Sequence, residues 1–232
     1  EETKQKGNPK MISTVIFDLD GTLLNTLEDL ADSVNYALRQ SHLPERTLEE
    51  VRNFVGNGVA KLMERAIPEG KDHPLYEETL QTFRQYYAVH CKDKTKPYEG
   101  IMDMLDVLCK DGYHLAIVSN KFDAAVKELS ALYFGDRILA SIGESEKVRK
   151  KPAPDTVYQA LEELSVCAEQ AVYVGDSDVD IQTAANVPMP CISVTWGFRS
   201  RERLLEAGAD VSRMIRRPEE LPPLLHSLSA ES

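Results

Sequence analysis

Residues 12–22 read ISTVIFDLDGT: an apolar run, Ile12–Phe17, followed directly by Asp18-Leu19-Asp20-Gly21-Thr22. The run is β-branched and apolar almost throughout, as a strand covered on both faces would be. Side chains alternate along extended backbone, so Asp18 and Asp20 project to the same side where the strand ends. Two carboxylates this close raise one another's pKa unless a cation sits between them. Asp, Gly and Thr are also ordinary where a strand becomes a loop or a helix cap. In the combination DxDGT behind a buried strand, chemistry is the stronger reading.

Outward from this stretch, His114–Val118 and Ala171–Val174 share its character and also stop at polar or acidic residues, and Cys191–Val194 is a fourth strand candidate. Shorter strands are expected at Leu139–Ile142 and Ala209–Val211. Ile101, Met104, Leu105 and Leu108 keep helical spacing, as do Phe122, Ala125, Val126 and Leu129, and Val157, Ala160, Leu161 and Leu164. Strands alternating with helices predict an α/β fold: a doubly wound, mostly parallel, Rossmann-like sheet with right-handed crossovers. Ligands bind such sheets beyond the carboxyl ends of the strands.

The alternation breaks between about Thr26 and Lys96, where helix follows helix: a stripe through Leu27–Leu38, short helices at Leu48–Val55 and Val59–Ala66, and a long one over Pro74–His90. This predicts an inserted all-helical cap at 26–96 on a catalytic core of 11–25 and 97–228, joined near Leu24–Thr26 and Lys96–Gly100. Residues 1–10 (EETKQKGNPK) read as a disordered leader or tag.

The strand at Ala171–Val174 ends in Gly175-Asp176-Ser177-Asp178-Val179-Asp180. Asp176 and Asp180 share one face if a helix begins there, while Asp178 reads better as a cap of that helix than as a functional group. Asp18, Asp20 and Asp176 would then converge, and hard oxygen ligands with room for water suit Mg²⁺. Ser119-Asn120 is either an N-cap or a hydroxyl and amide for phosphoryl oxygens. Lys151, in a Lys-Pro-Ala-Pro-Asp stretch, is either one of several solvated loop charges or the fixed cation that such a site requires.

The chain has 232 residues with a formal net charge of −11, which repels nucleic acid and anionic membranes as partners. No apolar run approaches the roughly 20 residues of a membrane span. Cys91, Cys109, Cys167 and Cys191 form no CxxC pair and read as reduced thiols of a cytoplasmic protein.

Four motifs stand in a recognisable order: DLDGTL at Asp18–Leu23, Ser119-Asn120, KPAPD from Lys151 and VGDSDVD from Val174. With them the sequence resembles the haloacid dehalogenase-like hydrolases from Met11 to about Leu228. The resemblance implies that Asp18 attacks phosphorus and that Asp20 protonates the leaving alcohol, then activates water, its backbone carbonyl on the metal. It further implies that Ser119 and Lys151 hold the phosphoryl group, Asp176 ligates Mg²⁺ and Asp180 supports that site. The cap sequence Val55-Gly56-Asn57-Gly58 with Leu62–Ala66, and Trp196-Gly197-Phe198, resemble the phosphoglycolate phosphatase branch, which implies a small phosphate ester, 2-phosphoglycolate first, as substrate. Lys61 and Arg65 are candidates for its second acidic group, or simply solvated helix charges. Asn25 and Asn186 depart from relatives that often carry Asp and Gly there; asparagine tolerates a left-handed helix end. Asp20 argues against a dehalogenase. A phosphosugar mutase, a phosphonoacetaldehyde hydrolase using Lys61 and a silent binding protein stay as alternatives, and either a monomer or a homodimer is expected.

Overall fold

Val15 and Phe17 point into one apolar cluster and Ile16 into another, so the first strand is buried from both sides. The computed structural model describes residues 11–230; the expected leader at 1–10 lies outside them. In chain order the elements are β1 (Thr14–Phe17), β2 (Leu24–Asn25), α1 (Leu27–Gln40), α2 (Leu48–Phe54), α3 (Val59–Ala66), α4 (Tyr76–His90), β3 (Lys96–Pro97), α5 (Ile101–Lys110), β4 (His114–Phe122), α6 (Asp123–Phe134), β5 (Ala140–Glu144), α7 (Asp155–Leu164), β6 (Ala171–Gly175), α8 (Asp178–Asn186), β7 (Cys191–Val194), α9 (Arg201–Glu206), β8 (Met214–Ile215) and α10 (Leu221–Ala230).

Six strands form one sheet in the order β5-β4-β1-β6-β7-β8, each pair of neighbours parallel. The same alternation as in β1 runs through its neighbours. Leu115 and Ile117 of β4 and Val172 and Val174 of β6 face the cluster shared with α5, α6 and α10. Ala116, Val118, Ala171 and Tyr173 face the one shared with α7 and α8. Both faces are thus covered, as a parallel sheet requires. The chain builds β4 and β5 on one side of β1 and then crosses to β6 on the other. The switch point, and the crevice that such a reversal opens, lies at the carboxyl ends of β4, β1 and β6.

Helices α1–α4 interrupt this winding and bury a cluster of their own around Val34, Leu38, Val51, Met63 and Phe83. A Thr47–Glu50 capping box opens α2. The chain enters and leaves the helical region through β2 and β3, which pair antiparallel, Leu24 with Pro97 and Asn25 with Lys96. Buried Asp29 of α1 accepts hydrogen bonds from the backbone N–H groups of Lys94 and Thr95 and from the Thr95 hydroxyl, tying the exit strand to the entry helix.

Three local expectations differ. β4 does not stop at Val118 but runs extended to Phe122, so Ser119-Asn120 lie in the strand and do not cap α6, whose N-cap is Phe122. No strand forms at Ala209–Val211: Asp210 accepts a hydrogen bond from the Ser212 N–H and turns the chain, and pairing starts at Met214. Asn186 ends α8 without left-handed backbone, and its amide donates to the Pro152 carbonyl.

Candidate active site

β1 delivers Asp18, β6 delivers Asp176, and the first turn of α8 delivers Asp180. All three carboxylates are buried, and one oxygen of each lies within 4.8 Å of the others. Lys151 reaches them from the loop before α7. Its Nζ donates to Asp18 Oδ1 at 2.7 Å, to Asp180 Oδ1 at 2.8 Å and to the Tyr173 hydroxyl at 2.9 Å. Three donors meet three partners, so the ammonium is fixed in space.

Asp180 uses both of its oxygens. Oδ2 accepts from Ser177 Oγ at 2.6 Å and from the Ser177 and Asp176 backbone N–H groups, completing a capping box at the start of α8. Oδ1 receives Lys151 and the Tyr173 hydroxyl. Asp176 is held by the Phe198 N–H at 2.6 Å and by Thr22 Oγ1 at 3.3 Å. Two glycines let the backbone crowd in. Gly21 has φ +91°, and a Cβ on Gly197 would lie 2.3 Å from the Gly21 carbonyl oxygen.

The Asp20 side chain stands apart from this cluster. Oδ1 accepts from Thr26 Oγ1 at 2.7 Å and lies 3.2 Å from Lys121 Nζ; Oδ2 accepts from Ser119 Oγ at 3.4 Å. Among the described residues the carboxylate cluster is therefore Asp18, Asp176 and Asp180, where Asp18, Asp20 and Asp176 were expected to converge. The Asn120 side chain is occupied by backbone. Its Oδ1 accepts from the Lys151 N–H at 2.6 Å, and its Nδ2 donates to the carbonyls of Lys151 and Gly56. The amide thus anchors the Lys151 loop at the cavity wall.

The electrostatics are those of a site short of positive charge. Burial, then the Asp180 charge, pushes the Asp18 carboxyl well above its ordinary value despite Lys151. Burial and Asp180 push Asp176 up to about 7. Burial alone would raise Asp180 too, but the charge and hydrogen bond of Lys151 outweigh it and hold Asp180 low. Burial disfavours the Lys151 ammonium, and Asp18 with Asp180 more than restores it, so it stays protonated. Three buried carboxylates around one lysine thus fit a hard divalent cation, which would relieve the strain on Asp18 and Asp176.

A small cavity of about 60 Å³ opens between the strand ends and the helical region, with Asp18, Asp20, Ser119 and Lys151 on one side and Val59 and Leu62 on the other. Lys61 and Arg65 are not among its lining. Lys61 pairs with Glu64 at 2.7 Å, and Arg65 donates to the Phe54 carbonyl and to Asn57 Oδ1. The turn geometry of α3 points both toward partners within the helical region. Two buried cations that the motifs had not flagged do line the cavity: Lys121 and Arg199. Each directly follows a quoted motif, Ser119-Asn120 and Trp196-Gly197-Phe198, so position alone could have marked them. Arg199 donates to the carbonyls of Arg52 and Val55 and lies 3.3 Å from Asp178, latching the core to the end of α2.

The model of a family described as haloacid dehalogenase-like hydrolases matches residues 15–194. A phosphoglycolate phosphatase of Pseudomonas putida is 35% identical over 190 residues, 79% of this chain and 70% of that protein. One of Mesorhizobium japonicum is 32% identical over 203 residues, 85% of this chain and 89% of its own. Among solved structures, a Lactobacillus delbrueckii subsp. bulgaricus protein provisionally named phosphoglycolate phosphatase superposes with a TM-score of 0.86 at 36% identity, covering 91% of this chain and 97% of the other.

Proposed function

The chain belongs to the haloacid dehalogenase-like hydrolases, and on that footing we propose a Mg²⁺-dependent phosphatase that hydrolyses a small phosphate monoester, 2-phosphoglycolate first, through an aspartyl phosphate. The observation that carries this reading is the division of labour between two carboxylates. Asp18 is pinned by Lys151 inside the charged cluster, while Asp20 is held outside it by Thr26 and Lys121.

A carboxylate oxygen of Asp18 attacks phosphorus, and the bond to the ester oxygen breaks as that oxygen takes a proton from Asp20. Asp20, now ionised, removes a proton from a water that attacks the same phosphorus. The acyl phosphate then breaks to inorganic phosphate and free Asp18. Lys151 stays on the Asp18 side throughout and offsets charge on the phosphoryl oxygens, with the Ser119 hydroxyl at the same strand end. When bound, Mg²⁺ at Asp18, Asp176 and the Asp20 backbone carbonyl would supply further positive charge there. Asp180 is read as support for that site, through its grip on Lys151 and the turn carrying Asp176.

Residues 26–96 are read as a cap over this site and 11–25 with 97–228 as the core. Four free cysteines accord with a reducing compartment, and we read the enzyme as cytoplasmic. The test is a screen of small phosphate esters with Mg²⁺ and with excess chelator. The expected result is the highest kcat/KM for 2-phosphoglycolate and its loss in chelator. Full turnover in chelator would overturn the metal assignment, and a flat profile across esters would overturn the substrate.

A further inference from the structure

Among the described residues, three cations line the cavity: Lys151, Arg199 and Lys121. Lys151 has spent all three of its donors on Asp18, Asp180 and Tyr173. Arg199 gives three of its five donors to two carbonyls of the helical region and to Asp178, and Asp20 is not among its partners. Lys121 is 7% exposed and meets two partners, the Tyr87 hydroxyl at 2.7 Å and Asp20 Oδ1 at 3.2 Å. Its ammonium also lies 4.6 Å from the centre of the Tyr87 ring. An ammonium has three donors, so one is left, on a buried cation in a cavity wall. Burial disfavours this charge, but Asp20 and Tyr87 overcome that, and Lys121 stays protonated.

The place of this charge matters as much as its sign. In a phosphate ester of a 2-hydroxy acid, one carbon separates the leaving oxygen from the carboxylate. A group that reads that carboxylate must therefore sit beside the acid that serves the leaving oxygen, and Lys121 sits beside Asp20. Resting on the phosphatase reading above, we propose that Lys121, oriented by Tyr87 of α4, recognises the carboxylate next to the leaving oxygen and so selects 2-phosphoglycolate-type esters. Tyr87 belongs to the helical region and Lys121 to the sheet, so the recognising ammonium is fully held only while the two are packed together. A substrate lacking the carboxylate leaves the remaining donor of Lys121 unpaired in a desolvated wall, which is how a polar site rejects an analogue.

The test compares 2-phosphoglycolate with ethyl phosphate, which carries a methyl group in place of the carboxylate, by kcat/KM with Mg²⁺ present. The wild-type enzyme is expected to favour 2-phosphoglycolate. Lys121→Met should cut that preference by roughly 30-fold or more, beyond any loss shared by both esters through Asp20. Tyr87→Phe, which removes one hydroxyl, should cut it roughly three- to tenfold. An unchanged preference in Lys121→Met, with both esters falling together, overturns the assignment and leaves Lys121 a positioning residue for Asp20. If circular dichroism shows that Lys121→Met does not fold, Tyr87→Phe decides, and an unchanged preference there overturns it. A wild-type enzyme that turns over both esters equally removes the glycolate reading itself, and this assignment with it.

Discussion

Lys151 holds Asp18 Oδ1 at 2.7 Å, whereas Oδ2 has only a 3.5 Å contact with Thr22 Oγ1. One oxygen is anchored, and the other is the one that the proposed mechanism would use for attack. Asp18→Asn keeps the shape and removes the charge. It should lower kcat by more than roughly a thousandfold, about 4 kcal/mol in barrier, and intact-protein mass spectrometry should find no phosphorylated enzyme in the variant. Turnover within about tenfold of wild type would dismiss Asp18 as the nucleophile. The glycines beside it are a second residue-scale device. A Cβ at Gly197 would lie 2.4 Å from Asp176 Cβ as well as against the Gly21 carbonyl, and both are backbone-anchored. Gly197→Ala should therefore displace Asp176 and weaken Mg²⁺ binding, measured by calorimetry, more than tenfold; unaltered Mg²⁺ affinity would show that the loop gives way freely.

At the scale of elements, the helical region is tied to the sheet by side chains gripping backbone. Asp29 holds the exit strand beside the entry helix, Asn120 and Lys150 hold the carbonyls of Gly56 and Asn57, and Arg199 holds those of Arg52 and Val55. Asp29 is the most buried of these anchors, at 2% exposure. Its removal strands two N–H groups and a hydroxyl. Asp29→Ala should cost about 2–4 kcal/mol in urea unfolding, with the midpoint shifting and the slope unchanged. A loss under about 0.5 kcal/mol would mean that the β2–β3 ribbon holds the linkers without it.

For the molecule as a whole, the proposed metal site would link stability to pH. The Asp176 carboxyl titrates near 7 in the folded chain and near its ordinary 3.8 when unfolded. The folded state thus binds more protons between those values, so the metal-free protein keeps this contribution below about pH 4 and loses it as pH rises through 7. Asp18, also raised, acts in the same direction. Mg²⁺ held by Asp18 and Asp176, as proposed, would compete with those protons, so its stabilisation should grow with pH. The rise in Tm from chelator to saturating Mg²⁺ should be larger at pH 8 than at pH 5.5 by about 3 °C or more. An equal rise at both pH values would place the cation away from Asp18 and Asp176. The net charge of −11 makes local cations the means of drawing in an anionic ester.

The buried run before Asp18, the strand–helix alternation, the helical block and the order of the four motifs were all legible in the sequence. Each depends on periodicity or on spacing within a few residues, which local sequence carries directly. The strand Cys191–Val194, the helix Val59–Ala66 and a helix through Ile101, Met104, Leu105 and Leu108 follow from that. What each polar side chain does was decided by tertiary structure, because a buried donor takes whichever acceptor the packing brings within about 3 Å. Asn120 turned to the Lys151 backbone, Lys61 and Arg65 to partners in the helical region, and Asp180 to Lys151 and its own helix start. Lys121 stands 34 residues from Tyr87 in the chain and farther still from Asp20, and no pattern within one element could have joined them. Only the packing of α4 against the end of β4 made that lysine a buried cation with a donor to spare.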